Sequence, residues 1–409
     1  MWVLPLQDVN SFYNSEDDCP SLGDMRAFWS AYRGWLAARG FHLHALQKRD
    51  DMHDSVWCPP TVTCAAPLPY AERCIDDATR TGAFQPRTPN LKCAPAQDNH
   101  GRDVTIKLVN TYTDEYRIYQ DLIRCEELFG QEFQGVLPPV AILDTPYRFS
   151  FIVMPTWNDC NPYRNFETVG HVVRYMHCTL KGLSFLHSRR VAHRDVDGHN
   201  VMSNFYTLGE RGEPAFMNRL VQHGRSSRIL YCLFDFNMSV QFPLNTPLRE
   251  CRLVTKDHIF SYSPFRPLDL NYGEYDYDPF AYDVACLGNM FRSKFAAIVG
   301  NIPDIALLFD NMTTHVICDR LSASEALAYF DQMVQGLPAH VLERGAVLNA
   351  SLELEDTERY WSLLPPELAT AWAKYRTPPM PLRYKVLDYI LRYRPAGTAL
   401  LYIRCKLRI

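Results

Sequence analysis

No two of the thirteen cysteines stand in a C-x-x-C spacing. The paired-thiolate patterns of structural zinc and dithiol redox sites are therefore missing, and buried free thiols are the expected state. No uncharged run reaches membrane-spanning length. The first residues, Met1-Trp2-Val3-Leu4-Pro5-Leu6-Gln7-Asp8, carry neither a basic n-region nor a long apolar h-region. An intracellular protein of cytoplasm or nucleus, not secreted and without a membrane span, is expected. Neither sign of charge dominates: the formal net charge is −4 over 409 residues, which gives no global electrostatic case for nucleic acid or acidic membranes as partners. No internal repeat is evident. Hydrophobic residues make up 47% of the chain, enough to bury a core with additions around it.

The densest chemistry lies in Val191-Ala192-His193-Arg194-Asp195-Val196-Asp197-Gly198-His199-Asn200. An aspartate and an asparagine leave one short loop behind a His-Arg pair, so a carboxylate and an amide converge on one point. Upstream, residues 171–187 read as a buried helix, with Val172, Val173, Met176, Leu180, Leu183 and Leu186 at three- and four-residue spacing. Downstream, the apolar run Ile229 to Phe234 suits a buried strand and delivers Asp235-Phe236-Asn237. Earlier, Asp98 to Arg102 has hairpin-turn composition, and Asp103 to Val109 alternates as a strand carrying Lys107. Thr113 is then a plausible N-cap for a helix with Asp114 and Glu115 in its first turn and Tyr116, Tyr119, Leu122 and Ile123 as its apolar stripe.

In this order the segments resemble a eukaryotic protein kinase. The loop is similar to H-R-D-x-x-x-x-N, Val104-Thr105-Ile106-Lys107 to V-A-I-K, and Asp235-Phe236-Asn237 to D-F-G. Tyr277 to Gly288 looks like the start of the kinase helix F, with Asp283 as acceptor for the catalytic-loop amides. Asp319 to Leu327 resembles a string near the kinase C-terminus, whose Arg320 would meet a glutamate of an A-P-E motif. That motif is missing, and Asp269 is the nearest stand-in. The resemblance runs from about Gly82 to Gln335. More narrowly, it is similar to the kinase-like family expanded in mushroom-forming fungi, on Phe28-Trp29, Trp35 to Gly40, Ser55 to Pro60 and the hinge-like Phe151 to Trp157.

The resemblance implies an α+β, two-lobed protein-kinase-like fold: a small antiparallel β lobe with helix C and a larger, mainly helical lobe. It implies ATP and Mg2+ as cofactors. Asp195 would accept the proton of the attacking hydroxyl, and Asn200 and Asp235 would hold the metal. Lys107, paired with Glu115, would orient the phosphates, while His193 and Arg194 would complete the loop and Met154 would line the nucleotide site. Glu126 and Glu127 are fallback partners for Lys107. Arg194 would meet a phosphate on Ser239, Thr246, Thr255, Ser261, Tyr262 or Ser263, or else be held by a carboxylate or the backbone.

Three positions depart from the pattern. Between Thr81 and Cys93 only Gly82 is glycine, and two prolines remove amide donors where a phosphate loop needs them. Arg87 or Lys92 could compensate by charge. Asn237 replaces a glycine expected to take positive φ. Asp197 stands where serine/threonine kinases usually place lysine, which should slow transfer or alter substrate choice. A protein kinase acting on an unidentified protein substrate, with serine or threonine preferred over tyrosine, is the leading expectation. A pseudokinase serving as a nucleotide-binding or scaffold module is the alternative, and a small-molecule phosphotransferase the third. The expected organisation is an N-terminal extension over 1–75 packing on the small lobe, the small lobe over 76–154, the large lobe over 155–337, and a tail over 338–409 with an amphipathic helix near Tyr384 to Tyr393.

Overall fold

The computed structural model describes residues 22–47, 55–57, 67–73, 83–84, 92–159, 166–206, 229–255, 263–272, 274–348 and 359–407. The architecture is mixed α+β. Contacts divide the chain into two compact units, Met1–Asp159 with Met202–Leu230, and Cys160–Val201 with Tyr231–Ile409. Asn158–Asp159 and Met202 to Tyr206 therefore group with the first unit. Pairing gives the reason: Phe205–Tyr206 lies parallel to Glu72–Arg73, and Met202 and Ser203 lie antiparallel to Asn158–Asp159.

The first unit is built on a five-stranded antiparallel sheet of β1 (Phe41–Leu43), β2 (Cys93–Asp98), β3 (Asp103–Asn110), β4 (Ala141–Asp144) and β5 (Phe149–Pro155), in the order β1-β2-β3-β5-β4. The β2–β3 turn closes because Asp98 Oδ1 accepts the amides of His100 and Arg102 at 2.8 and 3.0 Å, while Gly101 takes φ +73°. Alternation along β3 then sorts its side chains. Val104, Ile106 and Leu108 join Phe149, Phe151 and Val153 in one core, and Lys107 is left for the opposite face.

Helix α1 (Leu22–Ala37) covers that core face. Phe28, Trp29, Tyr32, Trp35 and Leu36 recur at helical spacing and are all buried. Tyr32 meets Phe151 edge-on at 5.1 Å between ring centroids, and such pairs add about 0.5–1.5 kcal/mol beyond area burial. The helix is thus part of the sheet's core. Helix α2 (Asp114–Leu122) follows β3 directly.

In the second unit, α3 (Val169–Ser188) is capped by Thr168, and α4 (Pro279–Phe295) by Asp278, whose Oδ1 accepts the amides of Phe280 and Ala281 at 2.9 and 3.0 Å. Pro279 at the first helical position needs no amide partner. Helix α5 (Ile305–Thr313) lies close to α4 at Gly288, where a Cβ would come within 2.7 Å of Thr313 and 2.8 Å of Met312. Helix α6 (Ala323–Gln335) starts with a Ser322/Glu325 capping box.

The tail is anchored on a buried carboxylate. Asp310 of α5 accepts from Tyr360 Oη (3.0 Å), Trp361 Nε1 (3.3 Å), Thr377 N (2.5 Å) and Thr377 Oγ1 (2.9 Å). Two helices follow, α7 (Leu382–Arg392) and α8 (Arg394–Leu407). Among the described residues no helix is long and apolar enough to cross a membrane. Among the described residues Cys178, Cys251 and Cys286 are buried free thiols.

Candidate active site

The predicted site residues fall into two clusters, one in each unit. In the first unit, Lys107 Nζ lies 2.5 Å from Glu115 Oε1, with each side chain 9% exposed. Glu115 arrives there because Thr113 caps α2, its Oγ1 accepting the Tyr116 amide at 3.4 Å and donating to Asn110 O at 2.7 Å. This places Glu115 in the first helical turn, where the helix dipole favours a carboxylate. Two buried charges stay ionised at low cost only as a pair, and removing one partner of such a pair costs about 3–5 kcal/mol. Glu126 and Glu127 are instead exposed on the 3-10 turn Glu126–Phe129.

Met154 is buried and stands opposite Thr105 in the β3–β5 register, while Lys107 stands opposite Ile152. Residues directly opposite share a face, so Met154 lies on the Lys107 side of the sheet. One feature here went unforeseen. Tyr116 Oη donates to Asp144 Oδ1 at 2.6 Å, and Ser150 Oγ donates to the same oxygen at 2.8 Å, tying the start of α2 to the β4–β5 hairpin. Burial, then the Asp144 bond, push the Tyr116 phenol up. Of the glycine-poor loop, Gly82 and Arg87 lie outside the described residues; Lys92 is half-buried beside β2, and its carbonyl accepts the Leu108 amide at 2.7 Å.

In the second unit the loop after α3 is held from below by Asp283 of α4, which is fully buried. Its Oδ2 accepts the His193 amide and its Oδ1 the Arg194 amide, each at 2.7 Å, and Oδ2 also meets His187 Nε2 at 3.1 Å. Charge-assisted bonds of this kind are about twice as strong as neutral ones. The loop is hung from a single carboxylate. Arg194 takes φ 65° and Asp235 φ 63°; with Arg190 at 61° they are the described non-glycine residues of positive φ. Each costs of order 1–3 kcal/mol, and such strain gathers where structure over-determines a site.

Above that anchor the side chains are fixed in turn. Asn200 Nδ2 donates at 2.8 Å to both the carbonyl and the Oδ2 of Asp195, so the amide locks the carboxylate's rotamer. Phe234 N donates to Asn200 O at 3.2 Å, which brings Asp235 to the same loop. His193 Nε2 meets Phe234 O at 3.0 Å, and its Nδ1 accepts the Asp195 amide at 3.3 Å, a pairing that selects the Nε2–H tautomer. Phe236 is fully buried, edge-on to the His193 ring at 5.8 Å.

No protein-family model matches the chain, and no curated protein matches it. The chemistry of the clusters therefore carries the reading. With Asn200 Nδ2 committed to Asp195, its amide oxygen and the Asp235 carboxylate are hard donors of the type magnesium takes from a protein when substrate phosphates supply further ligands. No group of three or more His, Cys, Asp or Glu that could hold a metal occurs among the described residues.

Several expectations change. Asn237 is not the left-handed residue of its triplet: the positive φ falls on Asp235, whose Oδ1 accepts the Asn237 amide at 3.4 Å, so a glycine is not needed at the third position. Arg194 meets Tyr277 Oη at 3.2 Å and Met238 O at 3.1 Å, the backbone alternative joined by a phenol. Burial pushes that phenol up to about 12, with Arg194 acting in the opposite direction. Ser239 is buried and donates to His193 O at 3.1 Å, and Thr255 is buried, so neither hydroxyl is presented for modification. Thr246 and Ser263 are half-buried, and Ser261 and Tyr262 lie outside the described residues.

Asp197 is buried and accepts the His199 amide at 2.9 Å, starting the 3-10 turn that carries Asn200. Burial lowers the Lys294 pKa, and the Asp197 charge acts against that shift. A lysine of α4 therefore lies within electrostatic range of the acid in the loop. Arg320 and Asp269, 51 positions apart, form a buried two-pronged ion pair at 2.6 and 3.0 Å, with Arg320 also bonded to the carbonyls of Thr314 and Ala281.

Proposed function

We propose that this chain is a protein kinase of two-lobed fold, transferring the γ-phosphate of ATP to a protein hydroxyl. The observation that carries this is the Asp195 loop, hung from Asp283 by two amides and locked by Asn200. Phosphoryl transfer asks mainly for positioning and charge stabilisation, and this arrangement supplies a carboxylate of fixed direction. Asp195 takes the proton of the acceptor oxygen as that oxygen attacks phosphorus, and ADP leaves. Asn200 and Asp235 are the residues that would hold magnesium, which would supply neutralisation of phosphate charge. Lys107, fixed by Glu115, orients the phosphates.

The Arg320–Asp269 pair and the segment that Arg190 and Arg194 fasten favour a protein acceptor over a small one. Arg190 Nε donates to Thr246 O at 2.8 Å, so residues 238–246 are tied to the loop at both arginines. Such a stable platform suits a peptide. A binding module without transfer is favoured by two features, the glycine-poor stretch between Thr81 and Cys93 and the acid Asp197 two positions after Asp195. Incubation with γ-labelled ATP, magnesium and a panel of protein substrates separates the two. Label on protein that is lost in Asp195→Asn, with the melting midpoint unchanged, supports the kinase; equal labelling by the variant removes Asp195 from its role.

A further inference from the structure

The last two helices carry a surface that the proposed chemistry does not use. On α7 and its C-cap, Leu382, Val386, Tyr389 and Tyr393 follow one another at four-, three- and four-residue steps, and α8 carries Tyr402, Ile403 and Leu407. All seven are between 49% and 79% exposed. The opposite side of α7 is the one that packs: Leu391 is buried, and Asp388, also buried, accepts from Asn271 Nδ2 at 2.6 Å. Gly397 lets α8 approach closely, since a Cβ there would lie 3.1 Å from Leu391 O and 3.3 Å from its Cα. The helix pair is thus seated on its unit with a defined outer side.

Charge on this segment opposes that of the whole chain. From Leu382 to Ile409 there are seven basic residues, Arg383, Lys385, Arg392, Arg394, Arg404, Lys406 and Arg408, against the single acid Asp388, a net charge of +6 where the chain totals −4. Arg383, Lys385 and Lys406 are exposed, Arg383 lying over the Tyr384 ring at 4.6 Å and Lys406 over Tyr402 at 5.6 Å. Long basic side chains can bury their stems in an apolar layer while the charged ends stay in water.

We propose that α7 and α8 form a docking surface for the anionic face of a lipid bilayer, in which the helices lie in the plane of the interface. Exposed aliphatic residues, tyrosines and lysine or arginine on one surface are what a headgroup layer accommodates together: hydrocarbon for the aliphatic groups, the wet boundary for the phenols and anionic headgroups for the cations. A second copy of the chain would meet like charge, and a nucleic acid offers nothing to Leu382, Val386 or Ile403. This surface is independent of the kinase reading.

The test is sedimentation of the full chain with vesicles containing about 30% phosphatidylserine in phosphatidylcholine, beside vesicles of phosphatidylcholine alone. Co-sedimentation with the anionic vesicles only, weakened on raising salt from about 0.1 to 0.5 M, is the expected result. Arg383→Glu with Lys385→Glu should cut the binding at least about tenfold, and so should Val386→Ser with Tyr389→Ser. All four side chains are exposed, and an unchanged melting midpoint shows that each variant is folded. No binding to anionic vesicles overturns the proposal. Equal binding to both vesicle types, binding that ignores the variants, or variant-sensitive self-association or DNA binding without vesicle binding overturns it as well.

Discussion

Replacing Asp283 by alanine should unseat the Asp195 loop. Its carboxylate receives the amides of His193 and Arg194 and the ring of His187, in a site where Asp283 has no exposed surface. Hydrogen bonds to a charged group contribute about 1.5–3 kcal/mol each, and a buried donor left without a partner costs about 1–3 kcal/mol. Two orphaned amides together with a loosened His187 therefore come to roughly 3–6 kcal/mol. Arg194, held at φ 65°, would also lose the bond that keeps it in that conformation. Against the ~5–15 kcal/mol that stabilises a typical domain, this is a large fraction. In a unit of this size each kcal/mol moves the melting midpoint by about 2–4 °C, so a fall of roughly 10 °C or more is expected. Thermal melting reads the midpoint, and hydrogen exchange of the His193 and Arg194 amides reads the loop itself. Asp283→Asn keeps one acceptor oxygen and should lie between wild type and alanine. A midpoint within about 2 °C of wild type, with loop exchange unchanged, would refute the reasoning.

Asp269→Ala leaves Arg320 buried without its carboxylate and should destabilise the protein by about 3–5 kcal/mol in urea unfolding; a loss below about 1 kcal/mol would mean that the Thr314 and Ala281 carbonyls suffice. Tyr277 gives a pH dependence. Its folded pKa, pushed up to about 12, stands above the ordinary tyrosine value of about 10, so the folded state holds the proton longer and stability falls as pH rises between those values. This amounts to about 1 kcal/mol between pH 9 and 11, and Tyr277→Phe should flatten the fall by that amount; parallel pH profiles would contradict it.

The residues legible in the sequence are those whose neighbours in the chain also set their geometry. Asp195 and Asn200 share one loop, Glu115 sits two positions after the cap that positions it, and Lys107 lies on a strand whose alternation assigns it a face. Asp283 and Arg320 could be matched only through the strings around them, and each finds its partner across the unit. What stayed hidden depends on distant contacts. His187 and Asp283 are 96 positions apart, and no spacing rule links them. The same is true of Tyr277 beside Arg194, 83 positions away, and of Asp310, whose hydrogen bonds gather a tail with no recognisable motif. The sequence pattern points to the third position of the Asp-Phe-Asn triplet, where the kinase motif has glycine, as the left-handed residue, whereas the backbone puts the positive φ on Asp235. The Asp197 charge acting on Lys294 was invisible for a similar reason: the two stand far apart in the chain, one in the loop and one in α4.

The central claim is most directly tested by thermal-shift titration with ATP and magnesium, comparing wild type with Asp235→Ala. A ligand that binds only the folded state stabilises it by RT ln(1 + [L]/Kd), about 2.7 kcal/mol at a hundredfold excess over Kd. The account predicts a magnesium-dependent rise in the wild-type midpoint that is lost in the variant. No rise at millimolar ATP, or an equal rise in Asp235→Ala, would contradict it.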